Sequence, residues 1–407
     1  MERARTKISP AARGKAHVKV NADVVAVPFH QADLGEEEAE AAADVVRTGW
    51  LTMGPRTVEF EQRFSAFVGA RHAVAVSSCT AALHLALEAI GIKAGDEVLV
   101  PTNTFTATAE VVTYLGAHPV LVDIDRQTLS INPADAARRI TPRTKAILPV
   151  HFAGQACNMD EIHSLAARHD IRVIEDAAHA LPAAYQGRPV GALSETTCFS
   201  FYATKTLTTG EGGMLTTDSD EIAGRARIMR LHGIGRDAWK RYAAEGSWYY
   251  QVWAPGFKYN MTDIQAAIGL VQLAKCTDMR SRRAAIVARY DAEFARIPTL
   301  EIPVQRADRE SAHHLYVLRL ECGQLTIGRD QFITALKQRE ISASVHFIPL
   351  HLHPYYRDVC GFKSCDYPVA TGEFERYLSL PLFSGMTEGQ IEHVIASVSE
   401  IATDHQR

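Results

Sequence analysis

The chain has 407 residues, 47% of them hydrophobic and 22% charged, with a formal net charge of −4 at pH 7. That balance excludes a mainly disordered chain and gives no electrostatic reason to expect nucleic acid or a membrane surface as a partner. No apolar run is long enough to span a bilayer, and the seven scattered cysteines form no CxxC pair, which fits a cytoplasmic protein better than a disulfide framework or zinc knuckle.

Within residues 1–26, the first twenty contain Arg3, Arg5, Lys7, Arg13, Lys15 and Lys19 against one acid, Glu2, and lack a continuous apolar core. They read as a mobile basic tail and not as a secretory signal. From Ala73 onward, short β-branched runs predict strands at Ala73–Val76, Glu97–Val100, Val120–Ile124, Ala146–Val150, Arg172–Ile174, Thr197–Phe201 and Met214–Thr216. Helical stretches such as Thr80–Ile90 and Met159–Arg168 separate several of them, so the connections are crossovers and the sheet is mostly parallel. A long helix is expected over Thr262–Phe294, with a domain change inside it near residue 275. Beyond it, strands at His314–Leu320 and Ser342–Ile348 and helices at Asp330–Arg339 and Thr387–Ile401 predict a smaller α+β C-terminal domain. The expected division is a large domain over 27–275 and a small one over 276–407.

Chemistry concentrates where strands end, the edge at which open α/β sheets bind ligands. Asp176 closes the run Ile171-Arg-Val-Ile-Glu-Asp, with His179 three residues on, and Lys205 follows Cys198-Phe-Ser-Phe-Tyr-Ala-Thr and precedes Gly210-Glu-Gly-Gly213. A strand-end carboxylate, the hydroxyl of Ser200 and a lone lysine before a glycine turn are the parts that hold pyridoxal phosphate. The lysine bonds to the aldehyde, and the carboxylate keeps the pyridine nitrogen protonated. Ser77-Ser78-Cys79-Thr80 opens a helix and suits a phosphate as well as an ordinary cap. Phe105, in Pro101-Thr-Asn-Thr-Phe105, and His179 are candidates to cover the ring faces, and Asn260 precedes the long helix. The five histidines His313, His314, His346, His351 and His353 lack metal-ligand spacing, so no metal is expected.

Together these stretches resemble the DegT/StrS family of sugar aminotransferases, a branch of the fold-type I pyridoxal phosphate enzymes. Gly54–Phe60, Ser77–Leu83, Gly95–Pro101, Glu175–His179, Phe199–Gly213 and Gly256–Asp263 carry the resemblance in order from about Val27 to Ser399. It implies Lys205 as the residue bonded to the cofactor and as proton carrier, with Asp176 at the pyridine nitrogen and His179 and Phe105 beside the ring. Ser78, Cys79, Thr80 and Ser200 would hold the phosphate, joined by Asn260 from a second subunit of a homodimer with shared sites. Relatives commonly carry Gly where this chain has Cys79.

The resemblance further implies that the cofactor alternates with its pyridoxamine form, that L-glutamate is the amino donor, and that a nucleotide-linked keto sugar is the acceptor. Ala254–Asp263, Val345-His-Phe347 and Leu380–Met386 are similar to the aminotransferases that make 4-amino-4-deoxy-L-arabinose on a uridine nucleotide. That pattern points to a 4-keto sugar, with His346 and Tyr316 as pocket candidates. A cyclitol or free-sugar aminotransferase would share every cofactor motif. Lys205 and the absence of a cysteine cluster speak against a sugar dehydratase, and the intact cofactor set speaks against a non-catalytic regulator.

Overall fold

Strands separated by helices build a seven-stranded sheet in this computed structural model, which describes residues 26–235 and 249–407. The expected tail, save its last residue, lies outside the described residues. In chain order the sheet strands are β1 (His72–Val76), β2 (Glu97–Pro101), β3 (His118–Val122), β4 (Thr144–Ile147) and β5 (Arg172–Asp176). Two short strands, β6 (Ala184–Tyr185) and β7 (Arg188–Pro189), precede β8 (Thr196–Ser200) and β9 (Gly213–Thr217). The spatial order is β1-β9-β8-β5-β4-β2-β3, and only β9 runs against the others. This is the mostly parallel central sheet that the strand and helix pattern predicts.

Side chains of a strand alternate between the two faces, and each face has its own apolar core. Val74, Val76, Val98, Val100, Ile174 and Cys198 pack beneath α3 (Cys79–Ala89), which follows α1 (Glu36–Thr48) and α2 (Pro55–Val68), and beneath the later helix Asp220–Met229. Ala73, Ala75, Leu99, Val122, Phe199 and Met214 pack on the opposite face with Phe60 and Phe64, which belong to the helix Pro55–Val68. Helix α3 starts where Ser78 caps it, its hydroxyl oxygen accepting from the Ala81 N–H at 3.1 Å.

The long helix spans Asp263–Phe294 and starts with a reciprocal capping box between Thr262 and Gln265. Asp263 binds it to Pro55–Val68: its Oδ1 accepts from the Gly54 and Thr57 N–H groups at 2.7 and 2.9 Å. The helix runs unbroken through residue 275. Ala266, Leu273 and Cys276 belong to the core under the large sheet, while Ile286, Val287, Tyr290 and Phe294 belong to a third core. That third core underlies an antiparallel sheet of β10 (Leu300–Glu301), β12 (Tyr316–Leu320) and β13 (Tyr377–Leu380); β11 (Arg309–Glu310) pairs with β6 instead. Helices Arg329–Gln338 and Glu388–Asp404 cover this smaller sheet.

The strand expected at Ser342–Ile348 does not form. Its backbone pairs with the sheet only at Ser344, which exchanges hydrogen bonds of 3.0 and 2.7 Å with Ser379. It then turns away and carries His346 and Phe347 toward the large sheet. The edge beside β12 goes to β13, which the sequence did not signal.

Candidate active site

Six of the seven strands of the large sheet share a direction, so their C-terminal ends gather on one edge. Val76 and Ser200 both lie opposite Gly213, and Asp176 lies beside Cys198. The register therefore brings the Ser77–Thr80 turn, Asp176 and Ser200 together around the start of β9. Gly213 must be glycine there: a Cβ would stand 2.4 and 2.5 Å from the Ser78 carbonyl atoms and 2.7 Å from the Cys79 nitrogen.

A cavity of about 490 Å³ opens at this edge. Ser78, Cys79, Thr80, Asp176, Ser200 and Lys205 line its floor, and Phe105, His179 and His346 line its walls. The Cys79 and Thr80 amides belong to the first turn of α3, where helix geometry leaves N–H groups without intrahelical acceptors. Phe105 is 59% exposed with its ring 6.0 Å from that of Phe347, so it stands at the mouth.

Asp176 is buried, and burial raises its pKa above the ordinary carboxylate value. Opposing that, Thr108 Oγ1 donates to its Oδ2 at 2.8 Å, the Ala178 N–H donates to Oδ1 at 3.1 Å, and Lys205 lies nearby. Burial also lowers Lys205, to about 8, with Asp176 pulling the other way. The histidines of the walls are neutral: burial, then the Lys205 charge, hold His179 well below its usual value and bring His346 to about 4. Behind Asp176, His151 Nδ1 accepts the Cys157 N–H at 3.1 Å, so its ring proton sits on Nε2, 2.6 Å from Glu175 Oε2.

Two expected residues lie elsewhere. Tyr316 is a correction: it opens β12 facing the third core, 1% exposed, with its hydroxyl 2.8 Å from Asp291, and it does not line the cavity. Asn260 sits beside the Ser77 turn, where its backbone bridges to Val76, but its side chain donates to the Met261 carbonyl at 3.2 Å and stays outside the cavity of its own chain. Of the other histidines, His351 is tied between Thr102 and Thr371, at 2.7 and 3.0 Å.

Sequence reasoning missed Phe29, His30, His314, Phe347 and the pair Thr104 and Thr108, all of which line the cavity. Phe29 stacks on His346 at 5.3 Å, and the His314 ring lies 4.3 Å from that of His179. The Pro101–Phe105 and Val345-His-Phe347 stretches were local signals for Thr104 and Phe347; the others come from segments that only tertiary packing delivers.

The arrangement is complementary to pyridoxal phosphate. Lys205, lowered to about 8, would suit the aldehyde, the buried Asp176 carboxylate the pyridine nitrogen, and the helix start beside Gly213 the phosphate. His179 Nδ1 is buried without a hydrogen-bond partner among the described residues, as a polar atom awaiting a ligand would be.

Comparison with known proteins agrees. Residues 32–399 match the DegT/DnrJ/EryC1/StrS aminotransferase family. The spore coat polysaccharide biosynthesis protein SpsC of Bacillus subtilis is 48% identical, the match covering 92% of this chain and 97% of SpsC. Among solved structures, Spr1654 of Streptococcus pneumoniae superposes with a TM-score of 0.87 at 34% identity, over 93% of this chain and 98% of that one, and is known in both PLP and PMP forms. PseC of Helicobacter pylori, an aminotransferase involved in pseudaminic acid biosynthesis, superposes with a TM-score of 0.87 at 26% identity, over 93% of this chain and all of PseC.

Proposed function

The chain belongs to the DegT/DnrJ/EryC1/StrS aminotransferase family and is a pyridoxal phosphate-dependent sugar aminotransferase, and we propose that it moves the amino group of L-glutamate to C4 of a nucleotide-linked keto sugar. The observation that carries this reading is the single cavity joining Lys205, Asp176 and the Ser78–Thr80 helix start. His346 and Phe347, from the segment that resembles that of the 4-amino-4-deoxy-L-arabinose enzymes, line the cavity and support a 4-keto acceptor.

Lys205 would be bonded to the cofactor at rest, Asp176 would receive the pyridine N–H, and the Cys79 and Thr80 amides with the Ser78, Thr80 and Ser200 hydroxyls would receive the phosphate. Phe105 and His179 would flank the ring. Pyridoxal phosphate, when bound, supplies the electron sink that stabilises charge on the reacting carbon.

The protein supplies the proton transfers. With a pKa of about 8, Lys205 Nζ gives up and regains a proton near neutral pH. It takes the proton from the α-carbon of the amino donor and, in the second half of the cycle, delivers one to the sugar carbon that gains nitrogen. Neutral His179 and His346 keep further positive charge out of the cavity, which preserves the basicity of Lys205. His346, its Nδ1 3.0 Å from Ser379 Oγ, presents its other nitrogen for the sugar.

Two substrates taking turns in one cavity give ping-pong kinetics. Asn260 would complete the phosphate site of the partner in a homodimer. The direct test is ¹⁵N-labelled L-glutamate with a panel of 4-keto nucleotide sugars and free keto sugars or cyclitols. Label on a nucleotide sugar is expected; label confined to a free sugar or cyclitol contradicts the nucleotide requirement.

A further inference from the structure

An ionised carboxylate offers about four lone-pair sites, and the surroundings of Asp176 occupy three of them. Oδ2 receives the Thr108 hydroxyl at 2.8 Å, and Oδ1 receives the Ala178 N–H at 3.1 Å and the Cys79 thiol at 3.9 Å. Thr108 is in turn 2.8 Å from the hydroxyl of Thr104, four residues earlier and ahead of the helix Ala107–Tyr114. Both threonines are buried, at 0 and 2% exposure, and both line the cavity.

The direction of this chain of hydroxyls follows from its end. Thr108 has one hydroxyl proton and must give it to the carboxylate, which can only accept. Thr108 therefore accepts from Thr104, and each bond polarises the next. We propose that Thr104 and Thr108 are positioning residues: a two-hydroxyl relay that keeps Asp176 charged, fixes its rotation and leaves one lone-pair site for the ring nitrogen. The inference rests on the reading of Asp176 as the partner of that nitrogen. It makes the protonation of the cofactor ring depend on Thr104 and Thr108, neither of which need touch the ring.

The relay answers an electrostatic need. Burial opposes charge on Asp176, so a carboxylate without donors would take up a proton and no longer hold the ring nitrogen in its protonated form. Removal of the Thr108 hydroxyl should show in the cofactor itself, because a ring nitrogen that is less fully protonated changes the pH at which the bound cofactor's visible band titrates.

The test uses Thr108→Val, Thr108→Ser, Thr104→Val and Asp176→Asn in the full chain reconstituted with pyridoxal phosphate. Thr108→Val should raise the pH midpoint of the visible band and weaken pyridoxal phosphate binding roughly tenfold, the scale of a hydrogen bond to a charged group. Thr104→Val should move both readings the same way by about threefold in affinity, and Thr108→Ser should restore the parent values. A merely structural role would not be rescued by serine in the titration. If both valine variants titrate and bind as the parent does while Asp176→Asn loses both properties, the relay is wrong and the role of Asp176 stands. If Asp176→Asn itself leaves binding and titration unchanged, the reading of Asp176 fails and the relay with it. Should Thr108→Val not fold, Thr104→Val and Thr108→Ser decide the matter by the same criteria.

Discussion

Lys205 is pulled in two directions, and burial prevails over Asp176 to bring it to about 8. A lysine at its ordinary value near 10.4 would be almost wholly protonated at neutral pH. As a base it works through its uncharged form, whose fraction rises as pH passes upward through the pKa. The rate of the amino-donor half-reaction, followed in a stopped-flow pH series, should climb through about pH 8 and level off above it. A rate that falls as pH rises from 6 to 8 would remove Lys205 from the role of base. Asp176 was legible as a residue of this edge because it closes an apolar run, and Lys205 because it follows a strand and a hydroxyl-bearing stretch and precedes the glycine turn Gly210–Gly213. His30 and His314 were not, since they reach the cavity from distant segments. Tyr316 was misread by one position of strand geometry: His314 and Leu315 line the cavity, and Tyr316, where β12 begins, turns into the third core.

β9 lies closely against the start of α3 at Gly213. Its glycine is needed for closeness and not for an unusual turn, because any side chain would enter the Ser78–Cys79 peptide. Gly213→Ala should displace that peptide, weaken pyridoxal phosphate binding about tenfold and destabilise the fold by roughly 1–3 kcal/mol, both read from fluorescence titration and denaturant unfolding. Unchanged affinity would show that the helix start takes no part in binding. At this scale the seven strands of the large sheet were readable within a few residues, since β-branched runs buried on both faces carry a strong pattern. The pattern fails at Ser342–Ile348, an equally strand-like run, because pairing at Ser344 competes with the placement of His346 and Phe347, and the single bridge is all that remains. Helix Pro55–Val68, anchored through Asp263, was visible only as part of the family resemblance.

Across the whole molecule, the cavity draws on both ends of the chain: Lys205 and Asp176 come from the large sheet, and His314, His346 and Leu382 from beyond the point where the long helix changes cores. The expected boundary at 275 falls within that helix, a position no local signal in the sequence could mark more sharply. Asn260 lies outside the cavity of its own chain, and the proposed homodimer gives it a place in the other. Mixing Lys205→Ala with Asn260→Ala subunits should then restore up to about a quarter of the parent activity, because half of the dimers would hold one intact site. No recovery after subunit exchange would contradict sharing. The most direct measurement of the central claim is single-turnover absorbance of the reconstituted protein, parent beside Lys205→Ala, on adding L-glutamate and then a nucleotide-linked 4-keto sugar. The parent's visible cofactor band should be lost with glutamate and return with the sugar, and the variant should show neither change at the parent's rate. A parent band that ignores glutamate, or a variant that cycles as fast as the parent, would contradict it.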